Sequence, residues 1–302
     1  MTRARHITLL ISAAVAVAVV VTLLTTLGPG DRPAAAPRAT PAPTFPTGPV
    51  DIATLVLPFD AYETTPAEGQ LIQRAEDRLL GACMRDRGMR WTPLPPLTRA
   101  DTGGSHDRRY GLAIPGDAAR YGYRMPPATP ARERLEAVYA GRTTLPAEER
   151  RAAYGPDGAT GGCWKKAHLR MERDVRTSRG ELLARHSTQT FATARRHPDV
   201  LDANRRWSAC MKREGHAYPD PDRPFDDPAW KKSPRPTARE LSVARDDVRC
   251  KQSTGFLATW VRVDRQVQNA AIRSDPDTFR DLAHTRTDRL AAARKILRDT
   301  SS

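Results

Sequence analysis

The chain has 302 residues, 39% hydrophobic and only 6% aromatic, with 28% charged, 26 Pro and a formal net charge of +14. So few aromatic residues exclude a dense sheet protein, and the absence of zinc-finger spacing, an RNP-like aromatic pattern or a Gly-rich phosphate loop argues against nucleic acid as partner. The positive charge rests on 42 Arg against 7 Lys, a ratio that a GC-rich coding sequence produces, so it marks a general attraction to polyanions rather than one site.

Residues 7–27 are 21 consecutive residues without a charge, which as a helix span about 31 Å, the thickness of the hydrocarbon layer. Arg3 and Arg5 precede them, so the positive-inside rule keeps residues 1–6 as a cytoplasmic stub and sends the rest outward. A cleaved secretory signal has a shorter apolar core, about 7–15 residues. The Ala34-Ala35-Ala36 triplet lies beyond the run and is followed by Pro37, an unfavourable residue after a scissile bond. We therefore read a single-pass signal-anchor of the cell membrane, with a released soluble factor as the alternative. From Gly28 to Pro49, seven of 22 residues are Pro; at about 3.1 Å per residue, such a linker over 28–50 reaches up to roughly 65 Å from the bilayer.

An extracytoplasmic domain over 51–302 follows, mainly α-helical, with strand patterns nearly absent. Thr65-Pro66-Ala67-Glu68 is a helix start with Thr as N-cap, Pro at the first position and Glu as reciprocal cap; Thr237-Ala238-Arg239-Glu240 repeats the logic. Leu71, Ile72, Ala75, Leu79 and Ala82 then recur at helical spacing, and Gly88 ends the element. From about 89 to 130 the pattern breaks into Gly, Pro and Tyr, an irregular excursion. Short helices are expected over 130–139 and 146–154. A Gly-rich turn at 158–162 then opens a long helix over 163–196, with Trp164, Ala167, Met171, Val175, Leu182 and Phe191 on its apolar face. Pro198 forces a break before a helix over 199–214. Another long helix is expected over 237–273, its stripe made of Leu241, Ala244, Val248, Trp260, Val263 and Val267, and a last one runs from Pro276 to Leu297.

Two stretches echo one another. Cys83-Met84-Arg85-Asp86-Arg87-Gly88 is followed by Trp91 and Pro93, and Cys210-Met211-Lys212-Arg213-Glu214-Gly215 by Tyr218 and Pro219. Each is followed by one more cysteine at or within a long helix, Cys163 and Cys250. The simplest account is a duplicated module, with related units over 51–197 and 198–302. Four cysteines in an exported chain read as a disulfide framework with three connectivities open, and the echo favours Cys83–Cys163 with Cys210–Cys250. These bridges close loops worth about 4.5 and 4 kcal/mol by chain entropy.

The chain resembles a family of uncharacterised secreted or membrane-anchored helical proteins of actinobacteria with paired Cys-Met-x-x-x-Gly modules. The likeness rests on Arg109-Tyr110-Gly111, Tyr121-Gly122-Tyr123, Leu145 to Gly155 leading into Gly161-Gly162-Cys163, Trp207-Ser208-Ala209-Cys210-Met211, and Ala244 to Lys251. Members accompany envelope transport genes, which implies an accessory role by association and no catalytic residue or cofactor.

Local candidates for chemistry are few. Asp220, Asp222, Asp226 and Asp227 form a carboxylate cluster whose spacing departs from a calcium-binding loop and whose prolines suggest a rigid turn. The 158–162 turn lacks the Gly-Lys-Ser/Thr of a phosphate loop and suits a close approach of Cys163 to its partner. Trp91, Tyr110, Tyr121 and Tyr123 either line a groove for glycan or peptide or cap a small core. The expectation is a non-enzymatic binding or accessory module of the cell envelope, without metal or cofactor, facing an envelope protein or an anionic wall polymer. A wall-directed hydrolase with a site in the Tyr-rich excursion is the alternative.

Overall fold

Helix starts are where the local chemistry is most explicit. The computed structural model describes residues 50–158, 161–176 and 180–299, so the expected membrane span at 7–27 lies outside the described residues, as does nearly all of the linker. Helix α1, Pro66–Arg85, opens as expected: Thr65 accepts from the Glu68 amide while Glu68 accepts from the Thr65 amide. Short helices α2 (Arg99–Thr102) and α3 (Pro115–Tyr121) interrupt the excursion, so it is less irregular than its Gly and Pro content suggests. Then come α4 (Pro130–Thr143) and α5 (Ala147–Tyr154).

The helix expected over 163–196 is two, α6 (Gly162–Met171) and α7 (Gly180–Arg195). A helical period persists across such a gap because short breaks leave the apolar residues on similar faces, so periodicity alone did not reveal it. The helix expected over 237–273 is also two, α9 (Ala238–Ser253) and α10 (Phe256–Ser274), parted by Gly255 at φ +68°. Between these pairs lies α8 (Pro198–Arg213), and α11 (Pro276–Asp299) closes the chain. Among the described residues there is no strand, and no helix is long and apolar enough to cross a membrane.

The echo is real at the end of each Cys-Met helix. In both, the amide of the residue after the capping glycine returns to the methionine carbonyl, Met89 N to Met84 O at 3.0 Å and His216 N to Met211 O at 2.9 Å. Gly88 and Gly215 supply the left-handed residue this cap requires. Met84 and Met211 are fully buried. Disulfides join Cys83 to Cys163 and Cys210 to Cys250, with Cα separations of 5.6 and 5.7 Å. The likeness stops there: Cys163 stands at the start of α6, whereas Cys250 stands near the end of α9.

The described residues belong to one compact unit, and no boundary near 197 divides its core. The largest apolar cluster combines Leu57, Tyr110, Leu112 and Tyr123 with Val200, Trp207, Val243, Val248 and Trp260. Conversely, α11 returns to pack along α1 and α6, where Ala293 meets Ala75 and Met171. The two echoing segments thus exchange elements rather than sit side by side. At the Gly-rich turn, a Cβ on Gly162 would lie 2.4 Å from the Ala152 carbonyl. The glycine lets α6 begin against the end of α5, which sets Cys163 in place.

Two outcomes follow from these constraints. Replacing Cys210 and Cys250 together by Ser should lower unfolding free energy by about 4 kcal/mol in a denaturant titration, the entropy of a 40-residue loop. Burial opposes ionisation of Glu68, but the Thr65 amide and the Arg286 guanidinium hold it below its ordinary value of 4.5. A depressed folded value means stability present above 4.5 and lost as pH falls through the folded value. Thermal unfolding should show that acid-sensitive component, reduced in Glu68→Gln.

Candidate functional site

The buried face of α9 and α10 carries charges that a purely apolar helix stripe would not. Glu240, Asp247, Lys251 and Asp264 have no solvent exposure, a placement tolerated only when each charge is paired and hydrogen-bonded. Their partners come from the excursion. Arg109 Nε donates to Asp264 at 2.7 Å, and the Tyr110 hydroxyl donates to the same carboxylate at 2.7 Å. Tyr123 donates to Asp247 at 3.2 Å, and the Trp207 indole N–H donates to its other oxygen at 2.9 Å. Lys251 Nζ reaches Asp247 at 3.1 Å and the Leu112 carbonyl at 2.8 Å. Arg124 pairs with Glu240 and also donates to the Trp230 and Ser233 carbonyls.

Two glycines make the approach feasible. Gly111 has φ +74°, and a Cβ there would stand 3.1 Å from Lys251 Nζ; Gly122 has φ +61°, and a Cβ would meet Glu240 atoms from 2.8 Å. Both sit in the left-handed region that disfavours a side chain, at positions where the backbone touches a buried charge. Burial pushes the Asp247 carboxyl upward, against the pull of Lys251, Trp207 and Tyr123. Burial also raises the Tyr110 and Tyr123 phenols well above the usual range, reinforced by the adjoining carboxylates. Both phenols are therefore held as neutral donors. Tyr110 and Tyr123 are core residues here, while Trp91 and Tyr121 remain partly exposed.

The four aspartates of the 220–227 segment have separate duties. Asp227 caps the turn Pro228–Lys232 through the Ala229 amide and accepts from the Tyr218 hydroxyl at 2.7 Å. Asp222 pairs with Arg195, Asp220 faces Arg223 and accepts from the Asp222 amide, and Asp226 is exposed. Among the described residues no group of three or more His, Cys, Asp or Glu is placed to hold a metal ion.

Above the Arg109–Asp264 pair lies a cleft of about 290 Å³ between α7, α8 and α10. Phe191, Phe256, Trp260 and Tyr110 line it with aromatic surface, and Arg109, Arg195, Asn204, Asp220 and Asp222 add polar groups. Trp260 lies within 5.6 Å of Tyr110 and of Phe191, ring centre to ring centre, and Arg109 covers the Phe191 ring at 5.2 Å. Leu201 contributes an apolar edge that is 44% exposed. Two polar atoms of these residues have no partner among the described residues: the indole N–H of Trp260 and the side-chain oxygen of Asn204. Each such orphan costs about 1–3 kcal/mol in a folded chain.

A wider opening of about 570 Å³ lies between 62–64, α7 and α11. Its polar lining is already committed, Ser187 to Glu63, Arg286 to Glu68 and Arg289 to Glu172. The smaller cleft is therefore the stronger candidate.

Sequence reasoning missed the buried ionic network. A signal was present: Glu240, Asp247 and Lys251 share the helical face of Val243, Ala244 and Val248. The cleft had no local signal, because its walls come from segments up to 151 residues apart. No family model, curated protein or solved structure matches the chain.

Truncating Asp247 to Ala should destabilise the fold by about 3–5 kcal/mol, since Lys251 would remain buried without its counter-charge. Tyr123→Phe, which keeps the ring and the ion pair, should cost about 1–2 kcal/mol in the same denaturant titration.

Proposed function

We propose that the chain is a membrane-anchored, extracytoplasmic binding module of the cell envelope, fixed by residues 7–27 and held off the bilayer by the Pro-rich linker. The observation that carries this reading is the pair of disulfides set within the protein interior, with Cys163 and Cys250 fully buried. Such bridges persist in oxidising compartments and are rare where thiols are kept reduced. The charge-free 21-residue run behind Arg3 and Arg5 supplies both the export signal and the anchor.

Binding rather than catalysis is the role its chemistry supports. The buried phenols, carboxylates and Lys251 are engaged with one another as structural pairs, and the cleft offers aromatic surface with a few polar groups, as ligand sites do. A net charge of +14 favours a surface rich in anionic lipid head groups or wall polymers. The resemblance to actinobacterial secreted and membrane-anchored proteins supports an accessory place in that envelope.

In intact host cells, a tag inserted at Gly48 should be reached by an impermeant reagent, and mass mapping of native material should recover no free thiol. A shielded tag or four free cysteines would overturn the reading. Purified full-length chain should also be retained by wall fragments, with retention falling as salt rises.

A further inference from the structure

We propose that the basic face formed by α1, the end of α6 and the last turns of α11 is a docking surface for a linear anionic polymer. This deepens the binding role argued above and rests on that reading for the compartment in which the polymer is met. The face shares no residue with the cleft between α7, α8 and α10.

Helix α11 packs against both α1 and α6, and two openings flank its last turns. One, of about 360 Å³, is edged by Arg170, Arg173 and Lys295. The other, of about 190 Å³, is edged by Arg74 and Arg78 of α1 together with Leu297. Arg298 stands exposed one turn beyond Lys295. These six cations enter no ion pair among the described residues, whereas most of the neighbouring acids are taken. Glu76 faces His168, Asp77 pairs with Arg142, Glu172 with Arg289 and Asp288 with Arg176. Asp174 and Asp299, at the larger opening, are the carboxylates there without an ion pair among the described residues, so positive charge prevails on this face.

The cations stand in three pairs, Arg74 with Arg78, Arg170 with Arg173 and Lys295 with Arg298, each three or four residues apart. On a helix that spacing sets Cβ atoms about 5–6 Å apart, and helices pack about 8–10 Å from one another. Charges repeated across neighbouring segments suit a ligand that repeats as well and meets them with several anions in succession. Arg74 and Arg78 are half-buried and the other four are exposed, so no single small ion is enclosed. Five of the six are Arg, whose planar fork of donors matches phosphate and carboxylate oxygens. A bilayer is less well served. Helices that lie on membranes set large apolar side chains beside their cations, and of the large apolar side chains that stand exposed, only Leu169 belongs to these three helices.

The full-length chain, immobilised in nanodiscs of zwitterionic lipid, would be exposed to long-chain polyphosphate, to poly-L-glutamate and to phosphatidylglycerol vesicles over a series of salt concentrations. One polymer or both should bind, the preference telling a phosphate chain from a carboxylate chain. Arg170→Gln, Arg173→Gln, Lys295→Gln and Arg298→Gln in one chain should weaken polymer binding about tenfold at low salt and flatten its log–log salt dependence by about three. Lys295→Glu alone should move binding the same way, by about threefold. Replacing Lys212, Arg213, Lys231 and Lys232 by Gln removes the same charge from other exposed positions and should change polymer binding by less than about threefold. Any vesicle binding should fall equally in the two fourfold variants. No binding of either polymer, equal losses of polymer binding in the two fourfold variants, undiminished binding in Lys295→Glu, or vesicle binding that depends on the α6 and α11 cations would each overturn the proposal. None of these outcomes bears on export, which the tag and thiol measurements decide separately.

Discussion

Three carboxylates without solvent exposure, Glu240, Asp247 and Asp264, are the constraint on which the fold depends. Removing them from water is unfavourable unless each finds cationic or hydrogen-bonding partners with good geometry. The partners lie more than a hundred residues earlier in the chain, in Arg109-Tyr110 and Tyr123-Arg124. Helices α9 and α10 cannot bury this face without the excursion, and the excursion gains its buried contacts to Asp264, Asp247 and Glu240 only from these helices.

That mutual dependence gives a physical account of Arg109-Tyr110-Gly111, Tyr121-Gly122-Tyr123 and the α9 segment from Ala244 to Lys251. Arg and Tyr provide the donors, and the glycines between them permit a backbone approach that any Cβ would obstruct. The Asp247 and Lys251 of the α9 segment are the other half of the same contact. These residue patterns therefore describe how one stretch of chain docks on another. They are not in themselves a reactive centre, and the cleft arises where this docking leaves the space between α7, α8 and α10 incompletely filled.

The disulfides and the last helix act at a different scale. Each bridge fixes the end of one Cys-Met helix to a later element, and α11 runs back along α1 so that the two halves cannot separate without exposing apolar surface. Around this shared frame the two halves differ. Asp77 gathers three donors from its own half, whereas the buried side-chain oxygen of Asn204 has no partner among the described residues.

The residue order by itself determined what depends on near neighbours. The helix starts at Thr65 and Thr237, the caps at Gly88 and Gly215, the Gly-rich turn before Cys163 and the all-helical class follow from spacing and local propensity, and the echo pointed to the cysteine pairs. Tertiary contact decided the rest. Periodicity could not place the breaks before Gly180 and at Gly255, because an apolar stripe continues across a short interruption. Nor could it show that Tyr110 and Tyr123 belong to the core of the later helices, or that Asn204 and Trp260 share one cleft. Burial of a charge, and the absence of a partner for a polar atom, are properties of segments brought together from far apart, and they exist only once the chain has closed on itself.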